Sequence, residues 1–171
     1  IEIGNHPSTS WIAIEANRIA FNAVDVGGAV YVKDSGHVLV NNNLIVRNGS
    51  AGLYLCASTA EIEAIHDTIA SNDGAGIVLD PADLRLANTI IALNGHYGLY
   101  VASGVSGLTN TRNDVWGNKS GSDNAGVFWD LEEDPLFFGS GSDPYLLRAG
   151  SPSVDAADGV VPGSFNGLSR P

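Results

Sequence analysis

Methionine is absent from this chain, and cysteine occurs once among 171 residues, at Cys56. A lone thiol excludes an internal disulfide framework, so order must come from packing and hydrogen bonding, and the redox compartment is unreadable from it. Charge is scarce and one-sided: 8 bases stand against 19 acids, a net charge of −11 at pH 7. That balance argues against nucleic acid, whose phosphates need a basic footprint. No apolar run approaches the roughly 18 residues of a membrane-spanning helix, and no secretory leader is visible. Also missing is any sustained 3.6-residue apolar period with caps, which nearly excludes helix.

What remains is short apolar alternation, broken by Gly, Asn, Asp and Ser, and it recurs. Asn22, Asn48, Asn72, Asn94 and Asn118 anchor five similar units at spacings of 26, 24, 22 and 24 residues. Three positions before the anchors stand Ile19, Ile45, Ile69, Ile91 and Val115. Ten before stand Ile12, Val38, Ile62, Leu84 and Leu108; eight before stand Ile14, Val40, Ala64, Leu86 and, breaking the series, Asn110. After each anchor comes another apolar pair: Val30/Val32, Leu53/Leu55, Ile77/Leu79, Leu99/Val101 and Val127/Trp129. Each unit thus predicts three short strands. Units in constant phase predict a coil whose windings stack about 4.8 Å apart, the spacing of strands in a sheet, with like residues in files along the axis.

A polar file accompanies the aliphatic ones. Asn17, Asn43, Asp67, Thr89 and Asn113 lie five residues before the anchors. Stacked amides can bond along the axis and satisfy turn groups otherwise left without partners. The structural ladder therefore comprises Asn17, Asn43 and Asn113 in one file, and Asn22, Asn48, Asn72, Asn94 and Asn118 in the other.

Units such as "NTIIALNGHYGLYV" resemble the repeats of right-handed parallel β-helix proteins, the pectate-lyase-like architecture, over residues 1–130. The resemblance implies an all-β, single-stranded right-handed parallel β-helix of about five turns, followed by a capping segment. It leaves function open, because that coil carries lyases, hydrolases, epimerases, phage tailspikes and non-catalytic surface proteins. Residues 131–158, with Asp-Pro, Gly-Ser and clustered aromatics, are expected to cap the last coil, and 159–171 to form a loose tail. "NDVWGN … EDPLF … YLLRAGSPSVDA" resembles the closing segment of bacterial secreted β-helix proteins, which implies an extracytoplasmic location, secreted or at the cell surface. "IEIG" reads as the third strand of an earlier winding, so the chain is expected to be the C-terminal part of a longer one.

Chemistry is sparse. Between the inward pairs of the third strand stand Tyr31, Tyr54, Val78, Tyr100 and Phe128, with Ala29, Gly52, Gly76, Gly98 and Gly126 two positions earlier. Aromatics at this spacing are ordinary strand packing first. Beside a bare glycine strip, Tyr31, Tyr54, Tyr100 and Phe128 also suit a sugar-binding platform, since pyranose C–H faces stack on rings. Asp73 and His96, on adjacent windings near Tyr100, are the weak candidates for an acid/base pair, against the commoner reading as loop filler. His66-Asp67 resembles a dyad, but Asp67 belongs to the ladder. Arg18, Arg47, Arg85 and Arg112 fall at different phases, and no convergent basic group is present to neutralise a uronate. "LEEDP" with Asp130 offers oxygen ligands for Ca2+, although no spaced calcium loop is present and a solvated acidic turn is the commoner use. His6, His37 and Cys56 share no phase, so no transition-metal site and no cofactor is expected. Outward Leu44, Val46, Ile90 and Ala92 form a candidate apolar patch; it and the open coil end are candidate self-association surfaces. The expectation is a scaffold module that binds polysaccharide on its aromatic face. The alternative is a fragment of a polysaccharide lyase, hydrolase or epimerase with its catalytic turns upstream.

Overall fold

Stretches such as "HVLVN" and "RIA" are rich in β-branched and aliphatic residues at alternate positions, and they form the strands of three long faces. A computed structural model describes residues 1–4, 11–23, 25–33, 36–102 and 107–157, with backbone alone at 57–60; His6 and the tail 159–171 lie outside them. The first face holds β2 (Trp11–Glu15), β5 (His37–Asn41), the second half of β7 (Ala51–Ile65), the second half of β9 (Ile77–Ala87) and β12 (Leu108–Thr111). The second face holds β3 (Arg18–Ala20), β6 (Leu44–Val46), β8 (Thr68–Ala70), β10 (Ile90–Ala92) and β13 (Asp114–Trp116). The third holds β1 (Glu2–Gly4), β4 (Gly28–Lys33), the first halves of β7 and β9, β11 (Tyr97–Val101) and β14 (Gly121–Asp123). Every pairing between these strands is parallel. The described chain is a β-solenoid: four regular windings, and a fifth closed by the short β14.

The expected files are real. Ile19, Ile45, Ile69, Ile91 and Val115 are register partners from winding to winding. Ile14, Val40, Ala64, Leu86 and the exception Asn110 form the next file. Ile45, Ile69 and Ile91 are wholly buried in one continuous core, and each contributes roughly 1.5–3 kcal/mol by leaving water.

Two corners per winding bend the chain, and both follow one rule. Ala16, Asn42, His66, Asn88 and Arg112 hold φ of 52–57°, and Phe21, Arg47, Ser71 and Leu93 hold 55–60°. Each of these left-handed residues immediately precedes a ladder residue. The left-handed conformation costs about 1–2 kcal/mol per non-glycine residue, and the ladder offsets it. Asn72 shows how. Its Nδ2 donates to Ile45 O (3.1 Å) and Asn94 Oδ1 (3.0 Å), while its own Oδ1 accepts from Asn48 N (3.1 Å) and Asn48 Nδ2 (2.9 Å). All four amide valences are used. The other file runs Asn17, Asn43, Asp67, Thr89, Asn113, with a backbone amide donating at each step and the side-chain amides of Asn17 and Asn43 donating as well, so Asp67 accepts from both the backbone and the side chain of Asn43. His66-Asp67 is therefore a corner followed by a ladder rung.

Three expectations need correction. The fifth winding's third strand is Gly121–Asp123, paired with Tyr97–Leu99, and Val127–Trp129 do not belong to it. Residues 127–131 instead begin a shortened further winding, in which Asn110 Nδ2 donates to Phe128 O and Leu131 pairs with Asp114. There Trp129 joins the end of the core, its indole donating to Asp123 Oδ2 at 2.8 Å. The apolar motif had the right alternation, but a short loop brought it round one strand early. Phe128, consequently, is 85% exposed and outside the tyrosine file.

The glycine strip is not a surface. Gly52, Gly76 and Gly98 are buried, and a Cβ on them would lie 2.5, 2.4 and 2.6 Å from Ile69, Ile91 and Val115. The chain bends there, so strict two-residue alternation fails. Nor is the second face an open patch, because Val46 and Ala92 are fully buried. The segment after Leu131 crosses that face: Ser153 Oγ and Glu133 N donate to Asp114 at one end, and Asp143 and Tyr145 reach Arg18 and Arg47 at the other. A bridge between Phe137 and Leu147 makes part of this segment a hairpin.

Candidate ligand-binding face

The third face carries a groove. Register places Tyr31 beside Tyr54, Tyr54 beside Val78, and Val78 beside Tyr100. A ring is missing from the file at Val78. Tyr54 and Tyr100, two windings apart and so separated by about 10 Å, become walls with the small valine between them. The loops before the strands complete a cleft of about 320 Å3, lined among others by Asp25, Ser50, Asp73, Gly74, His96 and both tyrosines.

The loop backbone stacks like the strands. Gly74 N donates to Ser50 O (3.1 Å), His96 N to Gly74 O (3.0 Å), and Ser120 N to His96 O (3.2 Å). His96 therefore follows Asp73 by one position on the next winding. Gly95 is required there, because a Cβ on it would lie 2.1 Å from Asp73 O. Asp73 and His96 both line the cleft, as their loop positions implied, yet among the described residues no hydrogen bond or ion pair joins them.

His96 belongs to an aromatic group that the sequence reading missed. Its ring lies 4.8 Å from Tyr97 and 5.9 Å from Tyr100, and the two tyrosines stack at 6.1 Å and 26°. The signal was in "GHYGLY", where three rings fall within five residues. Tyr31 meets Tyr54 edge-on at 5.3 Å and extends the wall beyond the cleft. Tyr54 OH donates to Asp80 Oδ2 at 3.2 Å. Burial, followed by this bond to a carboxylate, holds the Tyr54 phenol above its ordinary pKa, so it is a donor at neutral pH. Tyr100 is 37% exposed.

The acidic turn does not converge. Asp130 accepts from Arg112 N, Glu132 from Ser122, Asp134 from Leu136 N, and Glu133 gives its amide to Asp114. Among the described residues, no three of His, Cys, Asp and Glu are grouped to hold a metal ion. His37 has a local use, stacked on Trp11 at 4.7 Å and 3.1 Å from Glu61. Among the described residues, no helix is long and apolar enough to cross a membrane.

The family model described as "Right handed beta helix region" matches residues 2–106 and, overlapping, 27–130. No curated protein and no solved structure matches the chain.

Proposed function

We propose, for a chain that belongs to the right-handed beta helix family, a rigid scaffold of a secreted or surface protein that binds carbohydrate along its third face. The observation that carries this reading is the notch in the tyrosine file. Two phenol rings flank a shallow floor on a surface that the ladders hold fixed, so ligand contact needs little ordering of the protein. Ring walls with a few polar groups at their edges suit a sugar, which offers apolar C–H faces and a periphery of hydroxyls. Tyr54, Ser50, Asp73 and His96 supply the polar edge.

The test is a glycan array followed by calorimetry on responders, with Tyr54→Ala and Tyr100→Ala compared with the parent protein. Loss of binding in both variants supports the reading, and undiminished binding removes it. The second reading, a piece of a carbohydrate-cleaving enzyme, is favoured by Asp73 and His96 facing the same cleft. Product formation that survives Asp73→Ala and His96→Ala would dismiss that pair.

A further inference from the structure

The cleft also has a charge character, and it runs against an anionic ligand. Asp25 and Asp73 line it, both exposed, and among the described residues neither has an ion-pair partner. Asp80 reaches its rim through the Tyr54 hydroxyl. Among the described residues, no lysine or arginine lines it, and His96 is the one basic side chain that does. The cations nearest by register among the described residues are Lys33, two windings or about 10 Å from Asp80, and Lys119, one winding from Gly95 beside His96 and two windings or about 10 Å from Asp73. Among the described residues, Arg85 pairs with Glu63 at 2.9 Å on the first face, and Arg18 and Arg47 hold the C-terminal hairpin.

We infer that the ligand is a glycan carrying free amino groups, a hexosamine chain in its deacetylated form, and not a polyuronate. This rests on the carbohydrate reading above. Stacking on Tyr54 and Tyr100 is indifferent to charge, so the tyrosines alone do not choose between sugars. The aspartates do. A protonated amine on a ring held between the tyrosines meets carboxylates along the cleft, whereas a uronate carboxyl meets like charges within the screening length of about 10 Å. The net charge of −11 adds the same preference at longer range. Each exposed ion pair is weak, and two of them set a preference of about threefold or more at low salt.

The experiment is calorimetry at low salt with three hexamers of matched length: glucosamine, N-acetylglucosamine and galacturonate. The acetylated form keeps the ring faces, removes the charge and puts a neutral acetamide in its place. The expected order places glucosamine first by about threefold or more, with the gap closing in an Asp25→Asn/Asp73→Asn double variant and at high salt. Equal or tighter binding of the acetylated or the uronate hexamer, lost in Tyr54→Ala, overturns the charge inference and leaves the carbohydrate reading standing. Glucosamine binding that ignores the double Asn variant also overturns it. No binding of any hexamer, together with a silent glycan array, overturns both.

Discussion

Ile91 closes the space in front of Gly76: a methyl group on the glycine would lie 2.4 Å from the isoleucine Cγ2. It would also meet Gly98 O at 2.7 Å and Asn94 Nδ2 at 2.9 Å. Gly76→Ala is therefore expected to destabilise by about 3 kcal/mol or more, at or above the upper end of overpacking costs. Gly126→Ala, which meets nothing within 4 Å and has φ 74°, carries only the left-handed penalty, about 1–2 kcal/mol. Urea unfolding of both variants measures the contrast, and equal losses would contradict the packing argument.

Asn94→Ala removes the acceptor of both Asn72 donors and leaves Ile69 O and Asn118 Oδ1 short of a donor in the interior. The expected loss is about 2–4 kcal/mol, since stranded buried groups cost more than the net value of a bond. Asn22→Ala, at an exposed end of the same file, should cost about 1 kcal/mol or less.

Acid sensitivity should arise at Asp123. Burial opposes its ionisation, but the Trp129 indole and the amides of Val127, Ala125 and Gly126 outweigh that and hold its carboxyl below the usual range. A depressed folded pKa gives stability that is present above the unfolded value, about 3.9, and lost as pH falls through the folded one. Asp114 has the opposite sign. Its pKa is raised, first by burial, despite the Ser153 and Glu133 bonds, so its penalty is complete above the folded pKa and is relieved as pH falls. Asp123→Asn should flatten the acid-side loss, and Asp114→Asn should remove the Asp114 penalty at neutral pH. Thermal melts across the acid range decide this; a steeper acid loss in Asp123→Asn would reverse the assignment.

The Tyr54 phenol should titrate above the ordinary range of a tyrosine, raised first by burial and then by its bond to Asp80. Asp80→Asn brings it only part of the way back, because burial, the larger cause, remains. Tyrosine-selective NMR across the alkaline range follows it, and a pKa unmoved by Asp80→Asn would show that the hydroxyl bond contributes nothing.

Arg47 is held between Phe21 and Tyr145, with its guanidinium 5.8 and 5.6 Å from the two rings and Nε 3.0 Å from the Tyr145 hydroxyl. Arg47→Ala should cost about 1 kcal/mol. Removing residues 137–157 should uncover Val46, Ala70 and Ala92 and raise both dye binding and self-association. A truncated chain that stays monomeric and binds no dye would show the segment to be dispensable.

The coil was legible because its signal is periodic: Ile45, Ile69 and Ile91 repeat the same environment, and so does the asparagine after each left-handed corner. Tyr54, Tyr100, Asp73 and His96 were legible for the same reason, since phase fixes neighbours. What escaped is aperiodic. The hairpin over the second face rests on single contacts such as Arg47 with Tyr145, which no repeat announces. Val127 and Trp129 kept strand-like alternation while the loop before them shortened. Gly76 was misplaced because counting by twos assumes a straight strand, and the chain bends there. The corners themselves were invisible, since Phe21, Arg47 and Leu93 share a backbone angle and no side-chain chemistry.

From Val38 to Asn48, Ile62 to Asn72 and Leu84 to Asn94 the chain takes the same ten steps. Length varies elsewhere: Asn22 to Val30 takes eight residues, whereas Asn48 to Leu53 and Asn72 to Ile77 take five. The half-turn that carries both amide files tolerates no insertion, and the loop bordering the cleft does. Recognition can then diversify by lengthening or recolouring one rim while the spine stays untouched, which makes this coil a natural backbone for grafting new specificities winding by winding.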